Sequence, residues 1–214
     1  MSEGGISRHR QYVCNPPLTE AELAEEPLLQ LQRWIDDAVA AQMTEPTAMT
    51  LATCDAGGQP SARVVLMRGC DAGGLCFYTH YDSRKSRELA VNPRAAAVFW
   101  WDRLERSVRI EGRVERLPEA QSDHYFAHRP RRSQLSATVS QQSRPMTSRA
   151  ELERQLEALE RRYAGQPVPR PPSWGGFRLL LERAEFWQGG ADRLHDRIVY
   201  LREGMGWRRQ WLQP

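Results

Sequence analysis

The most restrictive feature of this chain is a pair of turns identical in sequence, Asp55-Ala56-Gly57-Gly58 and Asp71-Ala72-Gly73-Gly74, set among short apolar runs. Asp followed by Gly-Gly suits a hairpin, because glycine reaches the positive φ values that tight turns require. The runs around them are residues 48–53, 62–67 and 75–79. They are too short for helices and predict three strands joined as an antiparallel meander. No room is left between them for the helical crossover of a βαβ unit.

Elsewhere the periodicity alternates between helix and strand. Thr19 with Glu22 has capping-box spacing, and Leu28, Leu31, Trp34, Ile35 and Val39 follow at helical intervals, predicting a first helix over about 19–42. Ser83 can cap a short helix that Asn92-Pro93 stops at Val91, and Ala95 to Trp101 reads as a strand. Ser107 to Glu115 alternates apolar and polar residues, with Gly112 in an apolar slot, so one face is expected to be buried. Pro118 suits the start of a helix holding Tyr125 and Phe126, and the polar stretch 129–145 reads as irregular. Ser148 with Glu151 opens a helix to about Tyr163, and Gln166 to Pro172 is a connector. Strands are expected around 177–181, 198–202 and 207–212. The expected class is α+β, mainly antiparallel β, as a barrel with peripheral helices. Residues 1–17, ending in Asn15-Pro16-Pro17, are expected to be a flexible lead-in to a single domain over 18–214.

Composition narrows the function. Seven Trp, six Tyr and five Phe spread over 214 residues exclude general disorder. No apolar run approaches 18 residues and Met1 to Arg10 has no apolar core of a signal peptide, so a cytoplasmic protein without a membrane span is expected. The 30 basic and 27 acidic residues leave a net charge of +3, too small to argue for nucleic-acid binding, and acids such as Glu105, Glu111 and Glu151 interleave the arginines. Lys85 is the only lysine, which singles it out in an arginine-biased chain. Cys14, Cys54, Cys70 and Cys76 form no C-x-x-C pair and no zinc pattern with the histidines, so no metal is expected. Neither a G-x-G-x-x-G after a strand nor a P-loop is present.

Four clusters could carry chemistry. Arg63-Val64-Val65-Leu66-Met67-Arg68 places two arginines at odd spacing, on opposite faces of a regular strand. Ser83-Arg84-Lys85-Ser86 brings two cations to a helix start, an arrangement suited to phosphate. Tyr125, Arg129, Arg131, Arg132 and Ser133 could encircle an anion. Glu185-Phe186-Trp187-Gln188-Gly189-Gly190, followed by Arg193-Leu194-His195-Asp196-Arg197, joins aromatics and Gly-Gly to a dense charged group.

That last run resembles the C-terminal signature of the pyridoxine/pyridoxamine 5′-phosphate oxidase family. Further motifs agree in order: Arg63 to Leu66, Phe77-Tyr78-Thr79, Ser83-Arg84-Lys85, Leu104-Glu105-Arg106, Tyr125 to Pro130, Ser133-Gln134, Ser140 with Gln142-Ser143, and Trp174-Gly175-Gly176. The resemblance covers roughly residues 45–214, and before that it is looser, chiefly Arg10 and Tyr12. It implies an FMN-binding split β-barrel acting as a homodimer, with FMN at the subunit interface. Position by position, Arg63, Val64, Val65, Leu66, Met67, Arg68, Tyr78, Thr79, Arg84 and Lys85 would contact FMN, with Ser107, Trp187 and Arg197 completing the pocket. Gln142 and Ser143 would reach the flavin from the other subunit. Arg68, Tyr125, Arg129 and Ser133 would hold a substrate phosphate, with Arg193 and His195 over the pyridine ring as catalytic residues. The implied reaction converts pyridoxamine 5′-phosphate, and pyridoxine 5′-phosphate, to pyridoxal 5′-phosphate, with O2 reduced to hydrogen peroxide.

Three positions depart from the family. Arg68 stands where Lys is usual and keeps the charge on a larger planar group. Ser107 stands where Gln is usual and loses an amide's reach towards the flavin, and Ser136-Ala137-Thr138 is smaller than the usual Gly-Ala-Trp. Two alternatives stay open on the sequence: a related split-barrel oxidase acting on a phenazine precursor, and a non-catalytic carrier of FMN or pyridoxal phosphate.

Overall fold

In the computed structural model, which describes residues 11–71 and 73–214, the first helix starts at Pro27 rather than Thr19. The Thr19–Glu22 pair forms as expected, with the Glu22 carboxylate accepting from the Thr19 N–H at 2.8 Å, but it caps only a 3₁₀ turn, Glu20–Glu22. The chain is then extended at Leu23 and at Glu26 (φ −106°, ψ 132°). A residue before proline is driven out of the helical region, while proline itself is tolerated in the first turn, so α1 is Pro27–Ala40. Expectations for residues 1–10 and for Ala72 lie outside the described residues.

The strands are β1 (Ala48–Cys54), β2 (Pro60–Leu66), β3 (Cys70–Asp71), β4 (Gly74–His80), β5 (Arg94–Trp101), β6 (Arg106–Arg116), β7 (Trp174–Gln188), β8 (Asp196–Glu203) and β9 (Gly206–Trp211). The other helices are α2 (Arg84–Val91), α3 (Glu119–Ala127), α4 (Arg131–Val139) and α5 (Arg149–Arg162). The strands hydrogen-bond in the order β2-β1-β5-β6-β7-β4-β3, with β8 on β7 and β9 on β8. Both expected turns form hairpins, β1–β2 and β3–β4 (Cys70↔Leu75, Asp71↔Gly74), but the three strands are not one meander: β2 and β4 are not neighbours in the sheet, and the other side of β4 lies antiparallel to β7, from Gly74↔Leu180 to His80↔Trp174. β4 is buried on nearly every side chain, and such a strand needs partners on both sides. The chain leaves β2 at Leu66, bends at Gly69, whose φ is +127°, and meets β4 there: Arg68 N–H donates to the Cys76 carbonyl and Cys76 N–H to the Gly69 carbonyl, each at 2.8 Å.

Two compact units divide the chain. The first comprises the described residues of Met1–Thr50, Ala96–Glu111 and Leu181–Pro214; the second comprises those of Leu51–Ala95 and Gly112–Leu180. In the first, α1 buries Leu31, Trp34, Ile35 and Ala38, and Trp34 packs edge-on against Phe186 at 5.2 Å. Phe186 meets Tyr200 at 5.4 Å, and the Tyr200 hydroxyl donates to the Ala24 carbonyl at 2.7 Å, so the buried phenol is satisfied. Residues 11–17, expected to belong to a flexible lead-in, are bonded within this unit, as is Leu18 beside them. Cys14 N–H donates to Glu105 Oε2 at 2.9 Å, Leu18 N–H to Asp196 Oδ2 at 2.9 Å, and Gln188 Nε2 to the Pro16 carbonyl at 2.8 Å.

In the second unit Phe126, Leu135, Leu156, Val168 and Trp174 form a core under α3, α4 and α5. The helix α4 was not expected. Its sequence, Arg-Arg-Ser-Gln-Leu-Ser-Ala-Thr-Val, has no apolar stripe, and its buried positions include a polar one, Gln134. That amide donates to the carbonyls of Phe126, Ala127 and Arg129 at 3.0–3.1 Å, satisfying acceptors that the end of α3 leaves open. The expected helix at 148–163 is present, with Ser148 Oγ accepting from Glu151 N–H at 3.1 Å.

Phe186 is fully buried between Trp34 and Tyr200, so Phe186→Ala should lower stability by about 3–5 kcal/mol. Met205→Ala, at a residue 91% exposed, should change it by less than about 0.5 kcal/mol. Urea unfolding followed by tryptophan fluorescence measures both.

Candidate functional site

Helix α2 begins where β4 has just ended, and this junction gathers a basic cradle in the second unit. Lys85, nearly buried, donates from Nζ to Thr79 Oγ1 at 3.0 Å and Gln142 Oε1 at 2.9 Å, and Thr79 Oγ1 donates to the same amide oxygen at 2.7 Å. Burial, then the charge of Arg63, pushes the Lys85 ammonium down to about 8. Gln142 is thus bonded within its own chain to the end of β4, onto which the unexpected α4 turns residues 140–142. Ser143, beside it, is exposed with φ +71°.

A carboxylate that sequence reasoning passed over completes the cradle. Glu88 lies one helical turn after Arg84 and is buried. It accepts from Arg84 Nε at 2.8 Å, Ser61 Oγ at 2.7 Å, Thr53 Oγ1, and Arg63 Nη2 at 3.3 Å. Burial raises its carboxyl, but these hydrogen bonds and the Arg63 charge together outweigh that and hold it at about 2, so it is ionised at any working pH. The i,i+4 spacing from Arg84 was the available signal; the contacts from Thr53 and Ser61 were not, since they come from other elements. Strand β2 ends at Leu66, so regular alternation never reaches Arg68. Arg63 joins the cradle, whereas Arg68 lines a neighbouring cleft. Of the residues between them, Val64 is 68% exposed, Val65 is half-buried, Leu66 lines that cleft and Met67 is buried.

The cleft, about 680 Å³, brings together Arg68, Tyr78, Tyr125, Arg129 and Ser133, four of which were expected to hold a substrate phosphate. Tyr78 and Tyr125 stack at 3.8 Å, and the Arg129 guanidinium lies 4.7 Å over the Trp174 ring. Burial pushes the Tyr78 phenol up to about 12. Arg129 Nη1 is buried with no hydrogen-bond partner, and neither Arg129 nor Arg68 has an ion-pair partner among the described residues. Burial lowers the Arg129 pKa; Tyr125 opposes this and the Arg68 charge adds to it. Burial, with Lys85 and Arg129, likewise holds His80, on the cleft wall, below the usual histidine range. Two cations in one cleft, exposed Arg68 and half-buried Arg129, both without an ion-pair partner among the described residues, suit an anion. Arg131 and Arg132 take no part: Arg131 bonds the carbonyl of Gln166 and Arg132 is exposed.

The remaining expected residues lie in the first unit. Tyr12, Trp100, Ser107, Trp187 and Arg197 line a pocket of about 480 Å³. Trp187 and Arg197 stand opposite one another in the β7–β8 ladder. Glu185 holds Arg197 through Nε at 2.9 Å and Nη2 at 2.7 Å, and its other oxygen accepts from Arg109 at 2.7 Å. The run from Glu185 to Gln188 is thus strand, because β7 extends to residue 188 where only 177–181 was expected. Gly189 and Gly190 are required by close approach: a Cβ on the first would lie 2.7 Å from the Tyr12 side chain, and on the second 2.2 Å from the Leu194 carbonyl. Gly190 N–H donates to His195 Nδ1 at 3.1 Å, so a neutral His195 carries its proton on Nε2 and offers it outward as a donor. His195 packs on Trp187 at 4.8 Å. Arg193 is exposed in the left-handed region, φ +65°, with no side-chain partner among the described residues.

The donor set of the cradle fits the phosphate of FMN: three cations, a helix start and a hydroxyl converge there, and the buried Lys85 is held by neutral groups alone.

Residues 35–163 match the family model for pyridoxamine 5′-phosphate oxidase, and residues 174–214 match that for the pyridoxine 5′-phosphate oxidase C-terminal dimerisation region. The chain is 56% identical over 201 residues to a pyridoxine/pyridoxamine 5′-phosphate oxidase of Rubrobacter xylanophilus, covering 92% of this chain and 93% of that one. A Bordetella petrii protein of the same name is 51% identical over 210 residues, covering 98% and 99%. Among solved structures, PhzG from Burkholderia lata in complex with tetrahydrophenazine-1-carboxylic acid superposes with a TM-score of 0.87 at 33% identity, over 92% of this chain and 98% of that one. A pyridoxamine 5′-phosphate oxidase-related FMN-binding protein of Nostoc punctiforme shares the fold, with a TM-score of 0.73 at 14% identity over 90% of this chain and all of that one. With both family models matched in order and relatives this similar along nearly its whole length, the chain belongs to the pyridoxamine 5′-phosphate oxidase family, with the mainly antiparallel FMN-binding split-barrel fold.

Proposed function

We propose that this protein is an FMN-dependent oxidase that converts pyridoxamine 5′-phosphate and pyridoxine 5′-phosphate to pyridoxal 5′-phosphate. The single observation that carries the substrate class is the cleft of Arg68 and Arg129, two cations without an ion-pair partner among the described residues, beside Tyr125 and Ser133. A phosphate dianion supplies the missing countercharge. The Burkholderia lata neighbour raises a phenazine-type substrate as a second reading. Such a substrate has no phosphate and would leave the two guanidiniums unneutralised, which favours the phosphorylated pyridine.

FMN, when bound, would supply the redox chemistry of the conversion, with O2 as the final oxidant. The alcohol plus O2 yields aldehyde and peroxide; the amine additionally consumes one water and releases ammonia. Arg63, Arg84 and Lys85 hold the cofactor phosphate, with Thr79 and Gln142 orienting the lysine. Arg68, Tyr125, Arg129 and Ser133 grip the substrate phosphate, a handle remote from the reacting carbon, and so fix that carbon's position. Ser107, Trp187 and Arg197 shape the flavin pocket. Arg193 and His195 act at the reacting end of the substrate. His195, with Nδ1 occupied by the Gly190 N–H, orients the departing group through its Nε2 proton instead of serving as a base.

The active unit is a homodimer with FMN at the subunit interface, acting in the cytoplasm. The dimerisation-region match supports the dimer, as do Trp100 and Val98, 49% and 37% exposed on the outer face of β5. No helix among the described residues is long and apolar enough to cross a membrane.

Three measurements test this reading. Replacing both Arg84 and Lys85 with Ala should weaken FMN retention at least tenfold, the loss of about 1.5–3 kcal/mol expected for a contact to a charged group. Fluorescence titration reads it, and undiminished retention overturns the cradle assignment. In steady-state kinetics on pyridoxamine 5′-phosphate, Arg129→Ala should mainly raise KM, because the phosphate is held in ground and transition states alike, whereas Arg193→Ala should also lower kcat. Each should lose about tenfold to over a hundredfold in kcat/KM. Arg149 and Arg154, exposed on α5 beside Glu153 and Glu151, are the controls and should change little. If Arg193→Ala keeps its kcat, or the controls suffer equally, the site assignment fails. Sedimentation of the holoprotein should give a dimer; a fully active monomer overturns that part.

A further inference from the structure

Glu88 is a buried carboxylate bonded to two arginines and two hydroxyls, and removing a charge from water is costly unless its partners repay it. Its partners define what it does. Oε1 accepts from Arg84 Nε at 2.8 Å, while Oε2 accepts from Ser61 Oγ at 2.7 Å, from Thr53 Oγ1, and from Arg63 Nη2 at 3.3 Å. Arg63 is gripped a second time, by Thr53 and Ser61 themselves and by the Leu51 carbonyl at 3.3 Å. One carboxylate thus ties the arginine of β2 to the arginine of α2, with two hydroxyls as braces. Tethering α2 to the β1–β2 hairpin would need only neutral hydrogen bonds. Immobilising two guanidiniums at a set separation requires an anion. The charge balance points the same way: Arg63, Arg84 and Lys85 less Glu88 leave two positive charges, matching a phosphate monoester of about −1.5 to −2.

We propose that Glu88 is a positioning residue for the cofactor phosphate, holding Arg63 and Arg84 ready to receive it. The inference rests on the assignment of the cradle to FMN. Glu88 touches neither cofactor nor substrate and acts through the two arginines. Arginines fixed beforehand lose less freedom when the phosphate arrives, which strengthens binding without adding a contact.

The test compares FMN with riboflavin, which lacks the phosphate. Flavin-free protein, as the parent and as Glu88→Gln, is titrated with each ligand by flavin fluorescence below the melting temperature of both proteins. The preference for FMN over riboflavin should fall about tenfold or more in Glu88→Gln, the worth of one misdirected charge-assisted contact. A merely structural role would weaken both ligands alike and leave the preference unchanged; that result overturns the proposal. An increased preference overturns it too, since a Glu88 that only competed with the phosphate for the arginines would release them on replacement. Should Glu88→Gln not fold, Glu88→Asp is read by the same rule, since its carboxylate keeps the charge but is too short to reach both arginines. If the Arg84→Ala, Lys85→Ala double variant keeps FMN, the cradle assignment itself is wrong. If that variant loses FMN while the Glu88 variants keep the preference, only the positioning role is wrong.

Discussion

A guanidinium half-buried on an indole face, with no carboxylate beside it, is the constraint around which the second unit is organised. Arg129 sits 4.7 Å over Trp174, and its Nη1 is buried without a partner. Several elements combine to keep it there. Trp174 begins β7 and is fixed by the core under α3 to α5, and Gln134 binds the Arg129 carbonyl along with the end of α3. A cation held so firmly and left unneutralised favours whatever anion can enter, and the nearby Arg68 doubles that demand.

The cofactor cradle solves the opposite problem. There the cations are numerous, and two of them are partly neutralised in advance by Glu88. Its carboxylate, held at about 2, stays ionised throughout the range in which such an enzyme works. Lys85 is treated differently: its partners are a threonine, a serine and an amide, so its charge remains available. The two sites thus differ in charge pairing: in the cradle Glu88 partly balances the cations, and in the cleft Arg68 and Arg129 have no ion-pair partner among the described residues.

In the first unit the organising device is steric. Gly189 and Gly190 let Tyr12 and the Leu194 carbonyl approach closer than any side chain would permit, and the tight return brings the Gly190 N–H onto His195 Nδ1. The histidine's protonation pattern is therefore set by backbone geometry. Arg193, displayed in a left-handed conformation at the same bend, gains its exposure from that fold of the chain.

Much of this was legible in the residue order alone. The first turn and its hairpin, the buried face of β6 with Gly112 in an apolar slot, the Ser148 cap and the order of the basic and aromatic motifs follow from local rules of turn chemistry and side-chain periodicity, which act over a few residues. Where a local signal was absent or was overruled, the structure departs from expectation. Pro27 overrode a correctly recognised capping box; α4 is a helix whose buried face includes a glutamine; β4 pairs with its neighbour β3 on one side and, on the other, with β7, a strand far along the chain. The bond from Lys85 to Gln142 was likewise not legible, because α4, which turns Gln142 back onto Lys85, carries no apolar periodicity. The sequence by itself determined which residues carry charge, where the chain turns and which family's motifs it bears. Only the tertiary structure decided which charges are neutralised and which are left open, because Glu88, Thr53, Ser61 and Arg63 meet through strand pairing and packing that no spacing along the chain encodes.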